Sequence, residues 1–396
     1  MKRVTIKPRD NWQKRLEDAG CEYHTIDGKP YWNEGAAYEF SSEEIDCIEA
    51  AGDQLHEMCR DLVGEVVGRG DYEGYGFPDE VKQIIQDSWL RDIDGDPHLI
   101  GRLDLGYDGK DIKLFEYNAD TPTALPEASV WQYHALQDHG WPDQFNSIHE
   151  ALVERWKQIA FPSIEAATLH FAAHSEGRHE DFGNLHYLLE TAAEAGCQFT
   201  ASINIEEIGW DEESKYFVDG YPRTIQTLFK LYPWEWMMAD EYGWRIAETK
   251  TKFIEPPWKM LLSTKAILPL LWKRHPGHPL LLEAYFEEDF GNLYKRGGTW
   301  VKKPMLGREG ANVNLIYSDG KTRLTGERDA KYDKHGYIYQ QFFSGQRFTI
   351  EDQPHKAYPV LGVWIIGDKA CGMGIREDED LITTNASQFV PHYFVE

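Results

Sequence analysis

Two stretches, "GRLDLGY" and "IKLFEYN", flank Asp108-Gly109 and constrain the chain more than any other feature. Asp-Gly is a favoured hairpin turn, so both flanks are predicted as antiparallel strands. Alternate side chains of a strand face the same way. Arg102 and Asp104 therefore share one face of the first strand, and Glu116 and Asn118 share a face of the second. If the strands pair, these four groups converge on one side. Two carboxylates and an amide oxygen form a hard-oxygen set suited to Mg²⁺ bound together with phosphates. An arginine beside them suits a phosphoryl or carboxylate oxygen. The alternative is a solvated sheet face with an Arg–Glu surface pair, because alternation is normal for half-exposed strands.

The rest of the chain is predicted as an α+β assembly. Residues 1–100 read as mainly helical. Ser41 and Glu44 stand at capping-box spacing, and Ile45, Ile48, Leu55, Cys59, Leu62 and Val66 recur at helical intervals. A second helix is predicted in "PDEVKQIIQDSWL". Residues 101–240 carry the hairpin and then a βαβ unit: "ATLHFAAH" (strand), "FGNLHYLLETAAEAG" (helix), "CQFTASINI" (strand). That order predicts a partly parallel sheet. Residues 241–396 read as a short helix followed by antiparallel strands. With 396 residues, more than one domain is the expectation.

The formal net charge of −26 argues against nucleic acid as a partner. Five cysteines without a C-x-x-C suit free thiols in a reducing compartment. No apolar leader or bilayer-length segment is seen, so a cytoplasmic protein with no membrane partner is expected. "VKKPMLGREGANV" places a lysine strand before a glycine-containing loop, a pattern that can surround phosphates but is also common in surface hairpins. It is not a P-loop, and no protein-kinase motif or G-x-S-x-G is present. The pairs His170/His174 and His275/His278 lack the geometry of a zinc helix and are read as structural or surface residues. Cys371 is read as a small buried residue.

Taken in order, "RLDL", "FEYNADTPT", "STKAILPLLW", "VKKPMLGREGANV", "IYQQF" and "GIREDEDLI" resemble the synthetase domain of glutathionylspermidine synthases over nearly the whole chain. The likeness is to stand-alone bacterial members without an amidase half. It implies an ATP-grasp architecture, two α+β lobes with nucleotide between them and a pre-ATP-grasp βαβ half. It also implies an ADP-forming ligase that joins a carboxylate to an amine through an acyl phosphate, with ATP and Mg²⁺. By resemblance Asp104, Glu116 and Asn118 match the metal ligands, and Arg102 and Arg376 the catalytic arginines. Lys265, Lys303, Glu309, Gly310, Ala311, Gln340, Gln341 and Leu381 match the ATP site. Arg102, Thr121, Thr123, Glu180 and Asp181 match the substrate site, which in the family takes a glutathione-like peptide and a polyamine-like amine. The loop from Leu306 to Asn312 is expected to act as a mobile lid, by its glycines. Asp120 is expected to fix the turn that carries Thr121 and Thr123. One departure is Trp236, where the bifunctional members have a threonine; it leaves the acid and the amine open, and an oligomer remains compatible. A ligase for another acid and amine, or a non-catalytic nucleotide-binding module, are the rival readings.

Overall fold

The structure, a computed structural model, describes residues 1–26, 28–93, 96–159, 163–175, 179–291, 297–324, 328–350, 356–384 and 387–396. The predicted hairpin forms strands Ile100–Tyr107 and Ile112–Asn118. It is half of a larger antiparallel sheet. Strand Lys356–Ile366 pairs with Ile100–Tyr107, strand Lys369–Asp378 follows, and Gln388–Val390 lies at the edge. The sheet thus joins strands from both sides of residue 240.

Every residue of Ile100–Tyr107 is buried, which ends the solvated-face alternative. Both faces are covered. On one lies helix Ser42–Arg69, begun by the predicted capping box of Ser41 and Glu44 and stopped at Gly70 with φ 65°. Its apolar stripe presses onto the sheet through Gly52. An added Cβ there would lie 3.0 Å from both Val363 and Ala370, so only glycine allows so close an approach. Helix Asp79–Ile93 follows, just after Pro78. Against the other side pack helix Ile148–Ile159 and the turn Glu127–Trp131.

The βαβ prediction holds. Strands Thr168–Ala173 and Phe199–Asn204 are parallel, with helix His179–Glu194 between them in sequence. Thr227–Leu231 and Lys252–Ile254 extend that sheet, also parallel. Strands Ala284–Phe286, Tyr337–Gln341, Trp300–Pro304, Asn314–Ile316 and Thr322–Leu324 form an antiparallel sheet in that spatial order. One small sheet was not foreseen in the mainly helical first region. Ala36–Ser41 lies between Lys2–Thr5 and His392–Val395, tying the two ends of the chain together. Its anchor is ionic: Arg3 Nε and Nη2 donate to Glu377 at 2.7 and 2.9 Å, and Tyr38 Oη donates to the same carboxylate at 2.6 Å. Among the described residues, no helix is long and apolar enough to cross a membrane.

Candidate active site

The register of the hairpin sets Arg102 opposite Asn118 and Asp104 opposite Glu116, with a bulge just after Asp104. All four side chains meet. Arg102 lies along its own strand and donates from Nε and Nη2 to Asp104 at 2.7 and 3.2 Å. Its Nη1 donates to the carbonyl of Thr123 at 2.6 Å. Arg376 reaches Asp104 from two strands away, with Nη2 2.7 Å from Oδ2. The Asn118 amide nitrogen points to both carboxylates, 3.3 Å from Asp104 and 3.4 Å from Glu116.

The strand between the two arginines carries Gly362 opposite Asp104. A Cβ there would sit 2.9 Å from Arg102 Cδ. Gly362→Ala is therefore expected to fold but to push Arg102 off Asp104. Its turnover should fall about tenfold or more, since small misplacements of reacting groups cost that much. Kinetics set beside a melting curve of the variant check this: a loss of Tm without loss of turnover would place the glycine in folding alone.

Two lysines, Lys265 and Lys303, approach Glu116 from later parts of the chain. Lys265 Nζ lies 3.0 Å from Glu116 Oε2 and donates to the Gly307 carbonyl at 2.9 Å. Lys303 is buried and donates to Gln340 Oε1 at 2.7 Å and to the Phe115 carbonyl at 3.0 Å. Burial pushes the Glu116 pKa up, but Lys265 and Lys303 outweigh it and hold the carboxyl well below its ordinary value. Burial pulls the Lys303 ammonium down to about 8, with Glu116 resisting and Lys265 adding to the fall. Gln340 is a positioning group here. Its oxygen takes Lys303, and its nitrogen donates to the Leu114 carbonyl at 2.9 Å. Gln341, the next residue, is exposed and bonds through its backbone to Glu283.

The glycine-containing loop lies over this cluster. Glu309 and Gly310 have φ of 58° and 69°. A Cβ on Gly310 would meet the Thr383 carbonyl at 2.7 Å, so the loop packs tightly on the segment that carries Leu381. Leu381 and Ile382 in turn rest on Val301, Val313 and Leu315. Ala311 closes a turn onto the Arg308 carbonyl. Far from hanging free, the loop is fastened at several points. Arg308, not singled out from sequence, donates to the Thr121 hydroxyl at 2.8 Å, lies 3.4 Å from Glu235, and stacks over Trp236. The cleft so formed is bounded by Glu116, Asn118, Thr121, Lys265 and Arg308.

Thr123 contributes its carbonyl to Arg102, as given above. Glu180 and Asp181 open helix His179–Glu194, and the Glu180 charge acts on Arg102. Asp120 is anchored by distant partners. Its carboxylate does not fold back on the local turn. It accepts from Lys230 Nζ at 2.6 Å and from the Trp234 backbone at 3.0 Å, all of them buried. His170 and His174 stay apart, facing Asp219 and Glu206. The His56–His98–Asp368 group shares its carboxylate with Arg60 at 2.6 Å.

Two carboxylates thus face four cations, Arg102, Arg376, Lys265 and Lys303. The excess of positive charge fits a polyanion. The two carboxylates and one amide fit a hard divalent ion that arrives with that polyanion.

Such a fold is that of the ATP-grasp class. A solved apo structure of a glutathione synthetase-like effector from Globodera pallida matches 98% of this chain and 98% of that one, with a TM-score of 0.56 at 11% identity. Residues 3–395 match the family described as "Glutathionylspermidine synthase preATP-grasp", and the chain belongs to that family. It is an acid–amine ligase of the glutathionylspermidine synthase type. A protein of Haemophilus influenzae, provisionally named acid–amine ligase, is 43% identical over the full length of both chains. Trypanothione synthetase of Crithidia fasciculata is 27% identical, over 95% of this chain and 57% of that protein. The bifunctional glutathionylspermidine synthetase/amidase of Escherichia coli is 24% identical, over 74% of this chain and 49% of that protein. The chain therefore spans only about half of these two longer relatives.

Proposed function

We propose that this protein uses ATP to activate a carboxylate as an acyl phosphate and passes the acyl group to an amine, releasing ADP and phosphate. The observation that carries the reading is the interlocked set Arg102–Asp104–Arg376 and Glu116–Lys265, built on one sheet face and roofed by a glycine loop. Phosphoryl transfer needs positioning and charge neutralisation more than covalent help. Lys265 and Lys303 suit the nucleotide phosphates, and Glu309, Gly310, Ala311, Gln341 and Leu381 surround the nucleotide. Asp104, Glu116 and Asn118 would hold Mg²⁺, which when bound neutralises charge across phosphate oxygens. Arg102 and Arg376 face the transferred group. With all polar oxygens of Asp104 engaged by the two arginines, both guanidinium planes are already oriented before substrate arrives.

The acid in this reading is a glutathione-like peptide that meets Thr121 and Thr123, and the amine is polyamine-like. The free cysteines are in keeping with a reducing, cytoplasmic setting. Trp236 favours a second version, a different acid: its indole carries Arg308 and Lys331 over its ring and leaves no hydroxyl there for a peptide. Incubation with ATP, Mg²⁺, glutathione and spermidine should release ADP in proportion to an amide product seen by mass spectrometry. ADP release with another acid and amine, and none with this pair, would retain the reaction and reject the substrates. An ATP-induced thermal shift without turnover in a broad screen would leave only a nucleotide-binding module.

A further inference from the structure

Glu127 is a buried carboxyl that the cluster above does not use. It opens the π-helical turn Glu127–Trp131, shortly after Thr123. Turns of this kind are rare and concentrate at functional sites. The side chain is fully buried. Its Oε1 accepts from the hydroxyls of Tyr31 at 2.7 Å and Tyr23 at 3.3 Å. Its Oε2 has no hydrogen-bond partner among the described residues. An unpaired buried carboxyl oxygen needs a reason in chemistry or in a bound group.

The neighbours point to chemistry. Glu180, on helix His179–Glu194, acts on Glu127 as a second negative charge, and Glu127 in turn acts on the buried thiol of Cys21. Tyr31 links the two regions: its hydroxyl holds Glu127 and also feels the charges of Glu180 and Arg376. Burial, then Glu180, push the Glu127 pKa up to about 8, against Tyr31, its own backbone N–H and Tyr23. The other carboxylates near the cluster are bonded to cations. Glu116 lies well below its ordinary value, and Asp104 and Asp120 are tied to cations.

We propose that Glu127 is the proton acceptor of the amide-forming step, reached through the Tyr31 hydroxyl. The proposal rests on the ligase reading above. An alkylammonium must lose two protons to become an amide nitrogen. The first passes to the Tyr31 oxygen while the Tyr31 proton moves to Glu127 Oε1, leaving a neutral carboxylic acid. The freed lone pair then forms the C–N bond. The bond from the acyl carbon to the phosphoryl oxygen breaks, with its electron pair on the departing phosphate, which takes the second proton. Glu127 afterwards returns its proton to solvent. A base that titrates near the working pH serves such a step best.

The test uses the full chain with ATP, Mg²⁺ and glutathione, and two nucleophiles. Spermidine is protonated near neutral pH, whereas hydroxylamine is a free base there and needs no base to attack. Glu127→Gln keeps an oxygen for the phenols. It should slow amide formation with spermidine by about 10²-fold or more and lose the rise in kcat/KM through pH 8, while hydroxamate forms at a rate within about twofold of the parent. Tyr31→Phe should repeat that pattern if the relay is correct. Because the raised pKa weakens the native state as pH climbs from the ordinary glutamate value towards 8, Glu127→Gln should also melt higher than the parent above pH 8. Equal loss of both products would assign Glu127 to the scaffold, and retention of both would remove it from the reaction. A parent enzyme that gives neither product overturns the substrate reading on which the assignment stands.

Discussion

Arg376→Ala is expected to lower kcat for amide formation by about 10²- to 10³-fold, the usual cost of losing one preorganised donor to developing charge. The fold should barely notice. The only described side-chain bond of Arg376 is the one from Nη2 to Asp104, and the side chain is 23% exposed. Water can enter the space, and Asp104 keeps both bonds from Arg102. Stability should change by less than about 1 kcal/mol. Arg102→Ala is a different experiment. Arg102 is buried, makes two of the bonds to Asp104 and also holds the Thr123 carbonyl, so its loss mixes catalytic and structural effects. Arg376 is thus the cleaner probe. ADP release and product formation, measured beside a melting curve, decide the matter. If kcat is kept and only the KM for ATP rises, Arg376 serves ground-state binding and not the transition state. Arg376→Lys should recover little, because a point charge cannot copy a planar fork.

The hairpin was legible because its signals are local: an Asp-Gly turn and polar residues at alternate positions. The capping box and the βαβ unit were legible for the same reason. What escaped was non-local. Arg308 meets Thr121 across 187 residues, and Lys230 meets Asp120 across 110. No window of sequence contains such a pair. Lys230 sits in "TLFKL", where its charge suggests a solvent-facing strand position, yet it is fully buried. Gly362 was invisible for a related reason: a glycine carries no mark of which neighbour demands it, here Arg102. The terminal sheet was missed because Lys2–Thr5 is four residues long and pairs with a strand more than thirty residues away. Pattern brought the polar residues of the hairpin to notice, and packing supplied the parts that hold them still.

The largest stability effect expected is that of Lys230→Met. The ammonium is wholly enclosed, bonded to Asp120, to the Tyr232 carbonyl at 3.1 Å, and set over the Trp234 ring at 4.3 Å. Burial drags its pKa down, and Asp120 is what resists that fall. Methionine fills the space but leaves the Asp120 carboxylate buried with a single backbone donor, from Trp234. Breaking such a pair on one side costs about 3–5 kcal/mol. Removing both charges, as Asp120→Asn with Lys230→Met, should restore most of that loss, since a neutral buried pair owes no desolvation penalty. Urea denaturation of the four proteins of the cycle measures the coupling. The double variant then separates fold from function. Asp120 leads directly into Thr121, which holds Arg308, and into Thr123, which holds Arg102. If the ion pair positions that turn, the double variant will be stable but will show a raised KM for the acid and a lowered kcat. Full stability with full activity would show that the turn is held by Arg102 and Arg308 alone, and that Lys230 and Asp120 serve only to fasten the parallel sheet to the hairpin.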